Sequence, residues 1–151
     1  MKFAASNFKS DPRVIRIADG GSVTGILRGD PYEFEHAFRG EGKPKFRFKI
    51  EMIVNENGSL TVKILEGGWK LYQQLRTLND SGWDLEKSFT RISRVGSGVN
   101  DTVYSANCLP APPKPEVLSQ VSILPKLDLT EKPEALNAGT LEERSFDDVP
   151  F

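Results

Sequence analysis

The fold is decided by the stretch Lys43-Pro-Lys-Phe-Arg-Phe-Lys-Ile-Glu-Met-Ile-Val54. Polar and apolar side chains alternate from Lys45 onward, and this period of two predicts a β-strand with one apolar and one polar face. The polar face carries Lys45, Arg47 and Lys49, which would lie about 6.6–6.8 Å apart along the strand. That spacing is close to the phosphate spacing of an extended single strand of nucleic acid. An exposed strand face is often cationic for solubility alone, so this stretch by itself leaves a purely structural interpretation open.

Length and composition narrow the class of protein. The 151 residues are enough for one domain with a core and an extension. The chain has no apolar run of about 18 residues and no long apolar segment at its start, so we expect neither a membrane span nor a secretory signal. Cys108 is the only cysteine and His36 the only histidine, which leaves no His/Cys set for zinc. We therefore expect a cytoplasmic protein without a metal or cofactor.

Charge and proline both divide the chain near residue 110. Residues 1–110 hold sixteen Lys and Arg against thirteen Asp and Glu, whereas residues 111–151 hold four against eight. This asymmetry is typical of a nucleic-acid-binding body with an acidic extension. Seven of the ten prolines lie from Pro110 onward, and the cluster that begins there interrupts any strand or helix. We predict a nucleic-acid-binding domain at 1–109, a flexible Pro-rich tail at 110–144 and a tip at 145–151.

The tail is not uniformly polar. Seven aliphatic residues lie between Val117 and Leu129, more than a flexible linker needs. The sequence leaves open whether they pack on the body, on another subunit or on a partner.

The segment before the central strand has two interpretations. Residues 14–17 and 22–27 form either two short strands around a glycine turn or one long bent strand with Gly25 at the bend. Residues 28–42 then form a long connection that contains Tyr32, Phe34 and Phe38. So many rings in a long connection are typical of a functional loop. The alternative is that Tyr32 and Phe34 extend a strand and pack into the core.

After the central strand, Asn57-Gly58 predicts a tight hairpin. The partner strand, 59–65, would turn Leu60, Val62 and Ile64 to the core and Lys63 to the cationic surface. Leucines at intervals of four and three predict a helix over 69–79. Strands at 83–95 and 102–109, joined by a glycine-rich turn, complete the body.

Five strands with a helix between the third and fourth is the order of the OB-fold, a small Greek-key barrel. Domains of this fold bind oligonucleotides across the second and third strands and with the loops joining strands one to two and four to five. We therefore predict an all-β fold with one short helix, a five-stranded OB-fold barrel followed by the flexible tail. Cations and spare rings fall where this fold binds its ligand. The candidate DNA-binding residues are Tyr32, Phe34, Phe38, Arg39, Lys43, Lys45, Arg47, Lys49, Lys63, Arg91 and Arg94.

The chain ends in Ser145-Phe-Asp-Asp-Val-Pro-Phe151. Two carboxylates and a terminal ring with a free α-carboxylate suit capture in an apolar pocket flanked by Arg or Lys. This ending resembles that of the bacterial and phage single-stranded DNA-binding proteins, which end in an acidic run followed by Pro-Phe, although the run here is only two residues. The stretch Phe89-Thr-Arg-Ile-Ser-Arg-Val-Gly-Ser-Gly98 is similar to the final hairpin of phage-encoded members.

The resemblance implies a body that coats single-stranded DNA in replication, recombination and repair. It implies a tip that recruits enzymes of those pathways, and an acidic tail that occupies the cationic groove when DNA is absent. The candidate partner-binding residues are Asp147, Asp148, Val149, Pro150 and Phe151.

The two alternative classes of function are an enzyme and a protein-interaction adaptor. An enzyme would need more than His36 on a glycine-flanked loop and Cys108 at the end of an apolar strand, and the carboxylates lack the paired spacing of a metal nuclease. A protein-interaction adaptor of the replication machinery, with an OB barrel that binds DNA weakly or not at all, fits the same elements. The sequence leaves the oligomeric state and the choice between DNA and RNA open.

Overall fold

The computed structural model of the chain describes residues 11–37, 43–96 and 101–130. The strands form one antiparallel sheet in the order β3-β2-β1-β4-β5. Within the described ranges no pairing joins β3 to β5, so the sheet is open. The predicted barrel is found only as this open five-stranded sheet. The elements are β1 (Ser22–His36), β2 (Lys45–Glu56), β3 (Ser59–Gly68), α1 (Trp69–Asp80), a 3-10 turn (Leu85–Lys87), β4 (Thr90–Val95), β5 (Val103–Cys108) and α2 (Pro115–Ile123).

The first strand changes partners along its length. Gly25 lies opposite Thr90 of β4, and the next residue, Ile26, lies opposite Ile53 of β2. A Cβ atom on Gly25 would lie 2.4 Å from the carbonyl oxygen of Ile53, so only glycine fits this close approach. The interpretation of Gly25 as a bend in a long strand is consistent with this geometry. Val14 makes only an isolated parallel bridge to Ile64, so the predicted strand at 14–17 is not formed.

The predicted long connection at 28–42 is wrong for its first nine residues. Arg28 lies opposite Glu51 and Tyr32 lies opposite Lys49, so three residues of β1 face one residue of β2 in a bulge. Pairing resumes beyond the bulge, and β1 continues to His36. Residues of the type found in Gly29-Asp-Pro31 are typical of turns, but here they form a bulge within β1.

The hairpin and the helix that follow are as predicted. Asn57 and Gly58 both have positive φ angles, +53° and +87°, which is the geometry of a two-residue type I′ turn. The helix α1 covers the predicted residues, and Leu71 and Leu75 on one face are buried. The fourth strand begins at Thr90 instead of residue 83, because the preceding residues form the 3-10 turn.

The sheet buries apolar side chains on both of its faces. The inner layer lies under α1 and contains Phe48, Met52 and Ile92, which are fully buried. The outer layer contains Ile26 and Ile53, which α2 covers with Val121. Leu60 and Val62 pack against this outer layer, while Leu65 packs in the inner one.

The second helix is the largest departure from the predicted organisation. Pro115 stands at the start of α2, where its missing N–H and fixed φ are favourable. Val117, Val121 and Leu124 recur at helical spacing and pack on the sheet. The boundary predicted at residue 109 therefore falls inside the folded unit, and the flexible tail does not begin at 110. No helix in the described part of the chain is long and apolar enough to cross a membrane.

Candidate nucleic-acid interface

The outer face of the sheet carries the predicted cations in the half that α2 leaves uncovered. Strand pairing sets them in rows: Tyr32 lies opposite Lys49, Phe34 opposite Arg47, and His36 opposite Lys45. Residues directly opposite in an antiparallel pair project from the same face. The three β2 cations therefore share one face, each two residues from the next.

Rings and cations are in contact on this face. The rings of Tyr32 and Phe34 stack, with centroids 5.7 Å apart and planes inclined by 18°. The Lys49 ammonium lies 5.3 Å from the centroid of the Phe34 ring, within range of a cation–π interaction. Tyr32 is 37% exposed and Phe34 is half-buried, so these two rings extend a strand without packing into the core. A flat ring beside an ammonium group is a surface on which a nucleotide base can stack while its phosphate is neutralised.

Acidic groups flank the cations on the side of β3. Glu66 lies opposite Lys49, and its Oε2 is 3.3 Å from Nη2 of Arg47. Farther out, a hydrogen bond from the Arg13 side chain lowers the pKa of Asp11, and the charge of Lys49 contributes to the same shift. Glu66 therefore borders the cationic strip on the β3 side, whereas Asp11 is itself paired with Arg13.

Three predicted site residues, Lys63, Arg94 and Arg91, lie away from this strip. Lys63 pairs with buried Met52, which puts it on the opposite face of the sheet, where its Nζ donates to the Pro12 carbonyl oxygen and lies 3.4 Å from Glu56. Arg94 is half-buried and donates to the carbonyl oxygens of Ile17 and Gly96, so it holds chain segments together. The expectation that these two side chains join the cationic surface is wrong.

Arg91 lies on the outer face but at the other end of the molecule. It is exposed and pairs with Thr24, and the seat of α2 on Ile26 and Ile53 lies between it and the strip. Lys43 is exposed two residues before β2, next to the strip. Phe38 and Arg39 lie outside the described residues, as do Asp147, Asp148, Val149, Pro150 and Phe151.

Sequence reasoning missed the residues that fix the edge of the strip. Arg28 and Glu51 form a buried ion pair, with Nε of Arg28 donating to Oε1 of Glu51 over 2.7 Å. An arginine inside a predicted loop and a glutamate on a predicted solvent face gave no signal of this pair. Trp69 was also missed: it is 47% exposed, stacks on Tyr72 and meets Phe46 edge-on at the end of the inner layer.

Cys108 and His36 are the two candidate catalytic residues. Burial raises the pKa of the Cys108 thiol, and its Sγ lies 3.8 Å from Oγ1 of Thr90. An activated cysteine needs a lowered pKa, so this environment does not favour a thiolate nucleophile. His36 lies on β1 opposite Lys45, on the cationic face.

No protein-family model matches this chain, and comparison with curated proteins and with solved structures finds no match.

Proposed function

We propose that the protein binds single-stranded DNA without strong base preference in replication, recombination and repair. The contact surface is the strip formed by Tyr32 and Phe34 on β1 and by Lys45, Arg47 and Lys49 on β2. Binding is non-covalent: the cations neutralise phosphates and the rings stack on bases, at about 1–3 kcal/mol per stacked base. Every base has a flat face, so stacking tolerates any sequence.

The observation that carries the proposal is the pairing of each ring with a cation. Tyr32 and Lys49 form one row and Phe34 and Arg47 the next, and Lys49 also contacts the Phe34 ring. A strand face that is cationic only for solubility has no need of partly exposed rings in the same rows. The rows repeat at about 6.6–6.8 Å along β2, which matches successive nucleotides of an extended strand.

The order of strands and helix, and the sequence of residues 145–151, also support this proposal. An open sheet with a helix between its third and fourth strands is compatible with an OB-fold, which is itself a partly open barrel. The strip lies on the second strand and on the part of the first strand that leads into the joining loop. We further propose that the tip at 145–151 recruits partner proteins, on its resemblance to the ending of single-stranded DNA-binding proteins.

Two features favour a second candidate function. Glu66 forms an ion pair with Arg47, and α2 covers half of the outer face, so fewer cations are available than on a fully open face. A protein-interaction adaptor with weak or no DNA binding is consistent with both features.

The test is a fluorescence-anisotropy titration of the full chain with labelled oligo(dT), matched duplex and oligo(U), at several salt concentrations. We expect tighter binding to the single strand than to the duplex. Neutralising about four phosphates gives a slope of about −3 for log affinity against log salt. The oligo(U) arm decides between DNA and RNA.

Two lysine variants locate the binding surface. Lys49→Ala removes a cation from the strip, and we expect weaker binding to every base sequence and a slope less steep by about 0.7. Lys63→Ala is the matched control, because it removes the same charge from the opposite face of the same sheet. Equal losses in the two variants would contradict this location, and no binding by the unaltered chain would favour the adaptor.

A further inference from the structure

The outer face of the sheet is divided across its middle. In one half, Val121 of α2 is seated on Ile26 and Ile53, with Leu118 and Leu124 packed around it. The other half carries the cationic strip. The fold rule for OB domains assigns nucleic acid to the whole face of the second and third strands, but here a segment of the same chain occupies part of it.

The boundary between the halves is the Arg28–Glu51 pair. Nη1 of Arg28 donates to the carbonyl oxygens of Val121 and Leu124, at 2.7 and 3.0 Å, and Nη2 donates to that of Pro125 at 2.9 Å. Oε2 of Glu51 accepts a hydrogen bond of 2.6 Å from the backbone N–H of Leu127. Arg28 is 7% exposed and Glu51 is 4% exposed. Both charged groups therefore bind the end of α2 and the segment that follows it.

Buried hydrogen bonds hold the end of α2 and the segment that follows it on the sheet. Detaching this part of the chain would remove three acceptors from a buried guanidinium group and one donor from its carboxylate partner. Unpairing buried hydrogen-bonding groups is costly. A nucleic-acid strand that runs along β2 is therefore blocked by this segment at Glu51, one row beyond Lys49.

Over the residues that the structure describes, the uncovered part of the face is short. It contains the rows of Lys49, Arg47 and Lys45, which span about 13–14 Å at the rise of a β-strand. Three rows at one phosphate per row accommodate about three nucleotides, and the exposed Lys43 extends the strip slightly. OB domains cover about 4–16 nucleotides, so a site for about three to five nucleotides lies at the lower limit of that range.

We propose that α2 and the Arg28–Glu51 pair end the nucleic-acid site, so that one copy of the chain covers only about three to five nucleotides. This inference rests on the proposed function. In this proposal α2, which lies outside the five β-strands, sets the length of nucleic acid that the protein binds.

The test is a length series with the full chain and labelled oligo(dT) of three, five, eight and twelve nucleotides. We expect the affinity to rise up to five nucleotides and then only by the statistical gain from additional binding positions. At saturation, sedimentation should find two or more copies of the chain on the twelve-nucleotide strand. A further gain of more than about tenfold between five and twelve nucleotides, with one copy bound, would overturn the short site. Failure to bind any length would instead refute the proposed function.

Two variants that change the net charge by +1 test the boundary itself. Ile123→Lys places a cation on α2, at a position that is 80% exposed, and Glu66→Gln removes an acid beside the strip. We expect Glu66→Gln to tighten binding to the five-nucleotide strand severalfold and Ile123→Lys to leave the affinity for all lengths unchanged. If Ile123→Lys tightens binding to twelve nucleotides as much as Glu66→Gln does, the strand passes over α2 and the proposal fails.

Discussion

The buried pair Arg28–Glu51 is the residue-level link between the sheet and the end of the described chain. Burial alone would raise the pKa of the Glu51 carboxyl. Hydrogen bonds from Arg28 and from the Leu127 backbone N–H, with the charges of Arg28 and Lys126, outweigh burial, and the pKa lies below the ordinary value of 4.5. A carboxyl whose pKa is lowered by folding contributes stability that is complete above its unfolded-state pKa. That stability is lost as the pH falls through the folded-state value.

We therefore expect the free energy of unfolding to fall as the pH drops below the unfolded-state pKa of Glu51, partly through protonation of this carboxyl. Glu51→Gln should lose about 3 kcal/mol at pH 7, because it leaves the Arg28 charge buried without its partner, and should show a smaller decrease in acid. Urea unfolding at a series of pH values measures both effects.

Asp11 provides the control for this experiment. Its pKa is also lowered, but the hydrogen bond responsible comes from Arg13 and not from the segment that follows α2. Asp11→Asn should remove its own share of the pH dependence and leave that of Glu51 in place. If Glu51→Gln retains the full acid sensitivity of the unaltered chain, Glu51 is not the titrating group.

At the scale of elements, α1 fills the place where the sheet does not close. The Gln74 side chain donates from Nε2 to the Tyr104 carbonyl oxygen and accepts at Oε1 from the Ala106 N–H, both over 2.8 Å. One amide side chain thus pairs with the free edge of β5 as a neighbouring strand would. This contact covers part of an edge that would otherwise expose unpaired backbone groups.

Gln74→Ala should lower the free energy of unfolding by about 1–3 kcal/mol, because it leaves a backbone N–H and a carbonyl of β5 without partners. Gln73→Ala is the matched control, since Gln73 is the exposed neighbour on the same helix. Thermal or urea unfolding of the two variants gives the comparison. Equal stability of the two would mean that the Gln74 bridge contributes nothing.

The elements also explain what the sequence determined and what it did not. The alternation in β2, the Asn57-Gly58 turn and the leucine spacing of α1 are local patterns, and all three elements form where predicted. The continuation of β1 past its bulge is not local, because only pairing with β2 distinguishes a bulge from a loop at Gly29-Asp-Pro31.

The wrong face assigned to Lys63 has a related cause. The alternation of Leu60, Val62 and Ile64 predicts a single core face, with Lys63 on the opposite, outer face. The sheet in fact has two apolar layers, and Leu60 and Val62 belong to the layer under α2. The sequence of β3 alone does not show that α2, from a distant part of the chain, covers it. The helical spacing of Val117, Val121 and Leu124 was a usable signal of that helix.

At the scale of the whole molecule, the division of the chain by charge and proline does not coincide with the division by packing. Charge changes sign near residue 110, yet the described contacts with the sheet extend to Leu127. The acidic extension is thus joined to the cationic body through a docked helix. The segment that follows α2 lies on the same face of the sheet as the strip, because the Leu127 N–H bonds to Glu51, two residues from Lys49 on β2.

Two truncated chains test whether the folded unit ends near residue 110, where charge and proline content change, or after α2. A chain ending at residue 130 keeps α2 and the partners of Arg28, so it should unfold at nearly the same urea concentration as the full chain. A chain ending at residue 109 exposes Ile26 and Ile53, each 2% exposed when covered, and loses the burial of Val121. Burying one such side chain is worth about 1.5–3 kcal/mol, so we expect a loss of several kcal/mol from a total of about 5–15. Equal stability of the two truncated chains would show that α2 is an appendage and that residue 109 is the true boundary of the fold.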